Sequence, residues 1–166
     1  IGRCGVDKKI ATLAGEVAAV LTEQKLTLAV AESCTGGGLC QALTDIPGSS
    51  AWFDRGFITY SNQAKIEMLG VSSTLLEQYG AVSFEAARAM VEGVHGQSNA
   101  ELAIAITGIA GPDGGTAEKP VGTVFFGIGQ KGQAVKIDKR RFKGGREEVR
   151  ARSVEFVLKA LLKTLA

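Results

Sequence analysis

Ser33 stands where an apolar run stops and a glycine-rich segment begins, in Ala29-Val30-Ala31-Glu32-Ser33-Cys34-Thr35-Gly36-Gly37-Gly38. Leu28 to Ala31 reads as a short buried strand, and the three glycines open a helix through Leu39, Ala42 and Leu43. A hydroxyl at such a turn sits at the carboxyl end of a sheet strand, where α/β proteins place their ligands. The N–H groups of the new helix can hold an anion or a developing oxyanion. Ser33 is therefore a candidate nucleophile, with Cys34, Thr35, Gly36 and Gly37 as the turn that would face the substrate. Helix capping by Ser33 or Thr35 fits the same turn. The pattern is not G-x-S-x-G, because Ala31 and Thr35 occupy the glycine positions.

Three further segments fall at or near strand ends. In Thr59-Tyr60-Ser61-Asn62-Gln63-Ala64-Lys65, Tyr60 closes a strand and Lys65 lies in the opening turns of the next helix. The positive helix pole disfavours an ammonium there. Desolvation would lower its pKa further and make Lys65 a general base; the structural alternatives are a surface lysine and a packing tyrosine. Thr107-Gly108-Ile109-Ala110-Gly111-Pro112-Asp113-Gly114-Gly115-Thr116 is a glycine-rich loop whose amides can approach an anion closely. No Gly-Lys-Ser/Thr follows it, so it is not a Walker loop. Its length suggests function in a compact domain. Arg146 and Arg150 lie four residues apart, at the start of the core-facing stripe of the last helix. They suit a phosphate, or alternatively ion pairs with nearby glutamates. Gly127-Ile128-Gly129-Gln130-Lys131-Gly132 spells G-x-G-x-x-G but leads into a hairpin turn rather than a helix, so it is not a dinucleotide fingerprint.

The elements needed to bring these segments together are legible in the periodicity. Ile10, Leu13, Ala14, Val17, Val20 and Leu21 mark an amphipathic helix. After the strand at Leu28 and the helix to Thr44, Ile46–Ser50 is a turn, and Trp52 to Tyr60 is a second strand. Helices follow over 62–69, capped by Ser61 and stopped by Gly70, over 73–79, and from Ser83 with Ala86, Ala87, Met90, Val91 and Val94 on one face. Leu102 to Thr107 is a third strand. Residues 121–129 and 134–142 form a hairpin, and a final helix buries Val154, Val157, Leu158, Leu161, Leu162 and Leu165. Early α/β alternation with a late antiparallel pair predicts a three-layer α/β/α sandwich with a mixed, mostly parallel sheet, built as a single domain over 1–166.

Composition removes several classes of function. The 166 residues, 45% apolar and 22% charged, suit one globular domain with a full core. A formal net charge of +2 argues against nucleic acid, and no apolar run is long enough to span a membrane. No secretory signal is visible. Cys4, Cys34 and Cys40 read as free thiols in a reducing cytoplasm, Cys34 as a small, half-buried residue rather than a reactive one. The single histidine, His95, reads as a helix-end residue far in sequence from the glycine loops, which leaves neither a zinc set nor a histidine-dependent triad.

Taken together, residues 31–37, 52–62, 79–83 and 107–124 resemble the C-terminal domain of the competence/damage-inducible CinA proteins, a family that also includes stand-alone nicotinamide mononucleotide deamidases. The likeness runs from about Lys8 to the last helix; Gly38 and Cys40 depart from it, standing where bulkier aliphatic residues and alanine are common. It implies an amidohydrolase that converts nicotinamide mononucleotide to nicotinic acid mononucleotide and ammonia, in pyridine nucleotide recycling, without metal or other cofactor. Its catalytic serine falls on Ser33, its lysine on Lys65, and supporting hydroxyls on Tyr60 and Thr107. Gly111, Asp113, Gly114, Arg146 and Arg150 are then the candidates for the ribose phosphate. The expected partner is a small mononucleotide, with no nucleic acid or membrane, in a cytoplasmic homodimer. The alternative is a non-catalytic nucleotide-binding module, or an interaction module associated with competence or DNA damage.

Overall fold

The computed structural model describes residues 4–166, with side chains from Lys8 onward, so the reading of Cys4 as a free thiol lies outside the described side chains. The elements are α1 (Cys4–Gln24), β1 (Leu28–Glu32), α2 (Gly38–Thr44), β2 (Phe53–Ile58), α3 (Asn62–Leu69), α4 (Ser73–Tyr79), α5 (Phe84–Gln97), β3 (Leu102–Gly108), β4 (Thr123–Gln130), β5 (Lys136–Arg141) and α6 (Arg146–Leu165). Ser61, Ser72 and Ser83 cap α3, α4 and α5 through their hydroxyls. The turn read at Ile46–Ser50 contains one turn of 3-10 helix at Ser49–Ala51.

The five strands lie in the order β2-β1-β3-β4-β5. β1 pairs in parallel with β2 and β3, whereas β3–β4 and β4–β5 are antiparallel. Only β4 runs against the rest, so the mixed and mostly parallel sheet with its late hairpin is as expected. β2 is shorter than the expected 52–60, because Tyr60 has already left the strand.

Alternation along the inner strands sets the two cores. Leu28, Val30, Leu102, Ile104, Ile106, Val124, Phe126 and Ile128 pack on one face beneath α1, α2 and α6. On the other face β1 and β3 present Ala29, Ala31, Ala103 and Ala105, with Thr107 at the end of β3, and β4 presents Gly127 and Gly129, with Phe125 against Phe84 at the start of α5. Those small residues let α5 lie close to the sheet, with Met90, Val91 and Val94 buried against it. Both faces of β1 and β3 are therefore covered, which is why their sequences are unbroken apolar runs rather than alternating ones.

The chain leaves β1 for β2 on one side and returns through α3, α4 and α5 to β3 on the other. The connections thus change side at β1, and the crevice at the carboxyl ends of β1 and β3 is the place where such sheets bind ligands. Ser33 and Thr107 stand at those two ends.

Candidate functional site

Ser33 extends the β1 ladder by one step, its N–H donating to the Ile106 carbonyl at 3.0 Å, while Thr59 donates to the Glu32 carbonyl at 2.9 Å. The serine is thus wedged between the ends of β2 and β3. Beyond it the chain turns through Gly36 and Gly37, at φ +56° and +101°, a left-handed pair that side-chain-bearing residues adopt poorly.

Lys65 comes from the first turns of α3 and reaches back beneath the end of β2. It is 1% exposed. Its Nζ donates to the carbonyls of Thr59 (2.8 Å), Tyr60 (3.3 Å) and Ser61 (3.5 Å) and lies 3.2 Å from Ser33 Oγ. Burial holds this amine below the ordinary lysine range, against a smaller opposing influence of Cys34. The sequence argument named the helix pole first and desolvation second. In the fold the Nζ sits among carbonyls, and the downward shift comes from desolvation. A neutral amine has two N–H donors and a lone pair. Of the three carbonyls within reach, two can take those donors at a time, and the lone pair can accept the Ser33 hydroxyl proton. The pair therefore has the geometry of a nucleophile and its base.

Tyr60 contributes differently from expectation. Its side chain is 56% exposed, and its phenol accepts a hydrogen bond from Arg146 Nη2 at 2.7 Å. Its main-chain carbonyl, not the phenol, faces Ser33 Oγ at 3.4 Å and Lys65. Lys65 Nζ contacts Ser33 Oγ directly, without the phenol between them. Thr107 is buried at the end of β3, and its hydroxyl donates to the Ala81 carbonyl at 2.7 Å, tying down the segment before α5.

One buried charge was missed by sequence reasoning. Glu32 is fully buried. Its Oε1 accepts from Thr35 Oγ1 at 2.6 Å and from the Leu39 N–H at 3.0 Å, and its Oε2 accepts from the Cys40 N–H at 2.9 Å. A buried carboxylate requires such donors, and this one takes them from the start of α2. The helix N–H groups offered above to a substrate anion are therefore largely occupied by the protein itself. Gly36 and Gly38 donate within the turn, to Ser33 and Thr35 carbonyls. Among the described residues the Cys34, Thr35 and Gly37 N–H groups have no acceptor. The signal in the sequence was a glutamate closing an apolar strand just before a helix start.

The two arginines of α6 part company. Arg146 donates to the Gly111 carbonyl at 2.7 Å as well as to Tyr60, joining the glycine loop to the end of β2. Arg150 donates to the carbonyls of Cys34 and Thr35 at 3.1 and 3.3 Å. Asp113 and Gly114 lie exposed on the loop, and no described hydrogen bond joins either to Ser33 or Lys65. Cys34 is buried beside the turn, and burial pushes its thiol up to about 12, so it is inert rather than nucleophilic. His95 approaches the Gly129 carbonyl at 3.2 Å, on α5 away from this cluster. Among the described residues no three His, Cys, Asp or Glu side chains gather to hold a metal ion.

Residues 10–165 match the sequence model of the family described as the CinA C-terminal domain. The chain is 51% identical over 157 residues to the nicotinamide-nucleotide amidohydrolase PncC of Enterobacter agglomerans, covering 95% of this chain and 96% of that protein. It is 54% identical over 139 residues to a CinA-like protein of Syntrophotalea carbinolica, covering 84% of this chain but only 34% of that longer protein. The crystal structure of the competence/damage inducible protein CihA from Agrobacterium tumefaciens superimposes with a TM-score of 0.91 at 44% identity, over 93% of this chain and 94% of that one.

Proposed function

This chain belongs to the CinA C-terminal domain family, and from that premise we propose that it is an amidohydrolase that converts nicotinamide mononucleotide to nicotinic acid mononucleotide and ammonia, in pyridine nucleotide recycling. Likeness over nearly the whole of both chains to a protein named for that activity supports the reaction. The single observation that carries the chemistry is the contact between a buried lysine and Ser33 at the carboxyl end of β1.

In the proposed mechanism Ser33 Oγ attacks the carboxamide carbon, and its proton passes to the lone pair of Lys65 Nζ. The amide π electrons move onto oxygen, and N–H groups of the turn after Ser33, those of Cys34, Thr35 and Gly37 being without acceptors, stabilise that charge. As the tetrahedral species collapses, the C–N bond breaks and Lys65 returns the proton to the departing nitrogen, releasing ammonia. Water, deprotonated by the same amine, then hydrolyses the ester to the carboxylate and restores Ser33. Thr107 supports the site from below by its bond to Ala81. Arg146, exposed at the mouth, joins the Gly111–Gly114 loop to Tyr60, and this face is the one proposed for the ribose phosphate.

We also propose that the protein is a cytoplasmic homodimer acting on a free mononucleotide, without nucleic acid or membrane. Within the described residues no helix is long and apolar enough to cross a membrane.

The test is ammonia release from nicotinamide mononucleotide by the wild type, Ser33→Ala and Lys65→Arg. Both variants are expected to lose roughly a thousand-fold or more in kcat while remaining folded. Arg is not deprotonated in proteins, so near-normal activity of Lys65→Arg would remove the lysine as base. Binding of the mononucleotide with no ammonia from the wild type would favour the non-catalytic module, a reading encouraged by the longer CinA-like relative, of which the matched region is only 34%.

A further inference from the structure

Arg150 reaches from the opening turns of α6 to the backbone just after Ser33. Its Nε and Nη2 take the carbonyls of two successive residues, Cys34 at 3.1 Å and Thr35 at 3.3 Å. The seat is close: a Cβ placed on Gly36 would stand 3.2 Å from Arg150 Nη2. In a trans peptide unit the C=O and N–H point in opposite directions. Holding the Cys34 carbonyl toward α6 therefore turns the Thr35 N–H away from α6. Holding the Thr35 carbonyl does the same to the Gly36 N–H, which closes on the Ser33 carbonyl at 2.9 Å. Thr35 is 1% exposed, yet its N–H has no acceptor among the described residues. A buried, aimed and unused donor two residues after a nucleophile is what a developing oxyanion needs. The turn cannot aim it unaided, because Gly36 and Gly37 are its most freely rotating residues. Arg146, one helical turn earlier, points instead to Gly111 and Tyr60.

We propose that Arg150 is a positioning residue for deamidation: its guanidinium fork fixes the two peptide units after Ser33 and so aims the Thr35 N–H at the reacting carbonyl, and it takes no part in binding the substrate phosphate. This rests on the amidohydrolase reading. It also replaces the phosphate role that spacing alone suggested for Arg150. A lysine would keep the charge but lose the planar two-donor grip.

The test compares wild type, Arg150→Lys and Arg150→Ala on nicotinamide mononucleotide and on nicotinamide riboside, which carries the same amide without the phosphate. Positioning predicts a loss in kcat of roughly a hundred-fold on both substrates, with KM nearly unchanged. A rise in KM confined to the mononucleotide would mean that Arg150 binds phosphate, and would overturn the proposal. Wild-type kcat in Arg150→Lys would overturn it as well. Amide hydrogen exchange over residues 33–38, read without substrate, is expected to quicken in Arg150→Lys while the rest of the chain is unchanged; unaltered exchange there overturns the grip whatever the kinetics. A wild type that releases no ammonia fails the amidohydrolase reading instead, a result distinct from either.

Discussion

At the scale of single residues, Lys65 is the most consequential. It is a cation-forming side chain held out of water, its Nζ set among the carbonyls of Thr59, Tyr60 and Ser61 and beside Ser33 Oγ. Its depressed pKa has a definite sign in stability. The unfolded lysine titrates near ~10.4 and the folded one lower. Between those values the unfolded chain holds the proton and the folded chain has released it. Stability therefore climbs with pH through that window, and is lost as pH falls toward the folded value. Denaturant midpoints measured from neutral pH to about pH 10 are expected to rise in the wild type and to lose that rise in Lys65→Met. The acid limb of kcat/KM should follow the same group, since only the neutral amine can take the serine proton. A pH profile whose acid limb survived in an active Lys65 variant would assign the limb to another group. Cys34, beside the same turn, has the opposite character. Its thiol is pushed up to about 12 by burial, which explains why proximity to the site does not make it a reactive group.

At the scale of elements, the contact between Ser33 and Lys65, the proposed catalytic pair, depends on how closely α3 can approach α5. Gly93 on α5 lies against the last turn of α3. A Cβ there would run into the Leu69 carbonyl and stand 2.7 Å from Leu69 Cβ. Leu69 and Lys65 share one helix and both are buried, so a displacement of α3 would be carried to the amine. Gly93→Ala is expected to cost about 1–3 kcal/mol by overpacking, and to lower kcat more than KM by moving Lys65 off Ser33. Thermal melting combined with initial rates checks both parts; a stable variant with unchanged kcat would show that α3 absorbs the methyl without moving its base. The start of α6 is a second shared element. Gly145 caps it without a side chain of its own, and Glu148 Oε2 accepts the Gly145 N–H at 2.5 Å. That leaves the next two turns free to send Arg146 and Arg150 to different parts of the site.

At the scale of the whole molecule, one sheet separates two cores of unequal character. Beneath α1 and α6 the strands offer Leu, Ile, Val and Phe; beneath α5 the inner strands offer mostly alanine and glycine, with Phe125 against Phe84 at one end. Both cores share the backbones of β1, β3 and β4, so neither can melt while the other stays intact. Leu158→Ala in the first core and Met90→Ala in the second are each expected to destabilise by about 2–5 kcal/mol. In both variants the loss should appear as an earlier single transition by circular dichroism and by tryptophan fluorescence. Two separated transitions would show that the layers unfold independently. The sheet's outer strand β5 carries exposed Lys136, Lys139, Arg140 and Arg141, whose mutual repulsion guards an open edge against pairing with other strands.

Much of this molecule was readable from the order of its residues. Helix caps at Ser61 and Ser83, strand runs at Leu28 and Leu102, and the glycine breaks are local matters, governed by backbone freedom and side-chain periodicity within a few positions. The placing of Ser33 and Lys65 near one sheet edge followed from the α/β alternation. What the linear chain could not express was direction. Whether Tyr60 offers its ring or its carbonyl, whether Arg150 faces a phosphate or a peptide, and which donors Glu32 takes from α2 depend on contacts across up to 116 residues of sequence. Spacing gives a side chain its face on a helix, but the atom it meets is chosen by the packing of that helix against distant strands. In this fold the packing set polar groups against one another first, and the donors left over define where the substrate's charge is proposed to go.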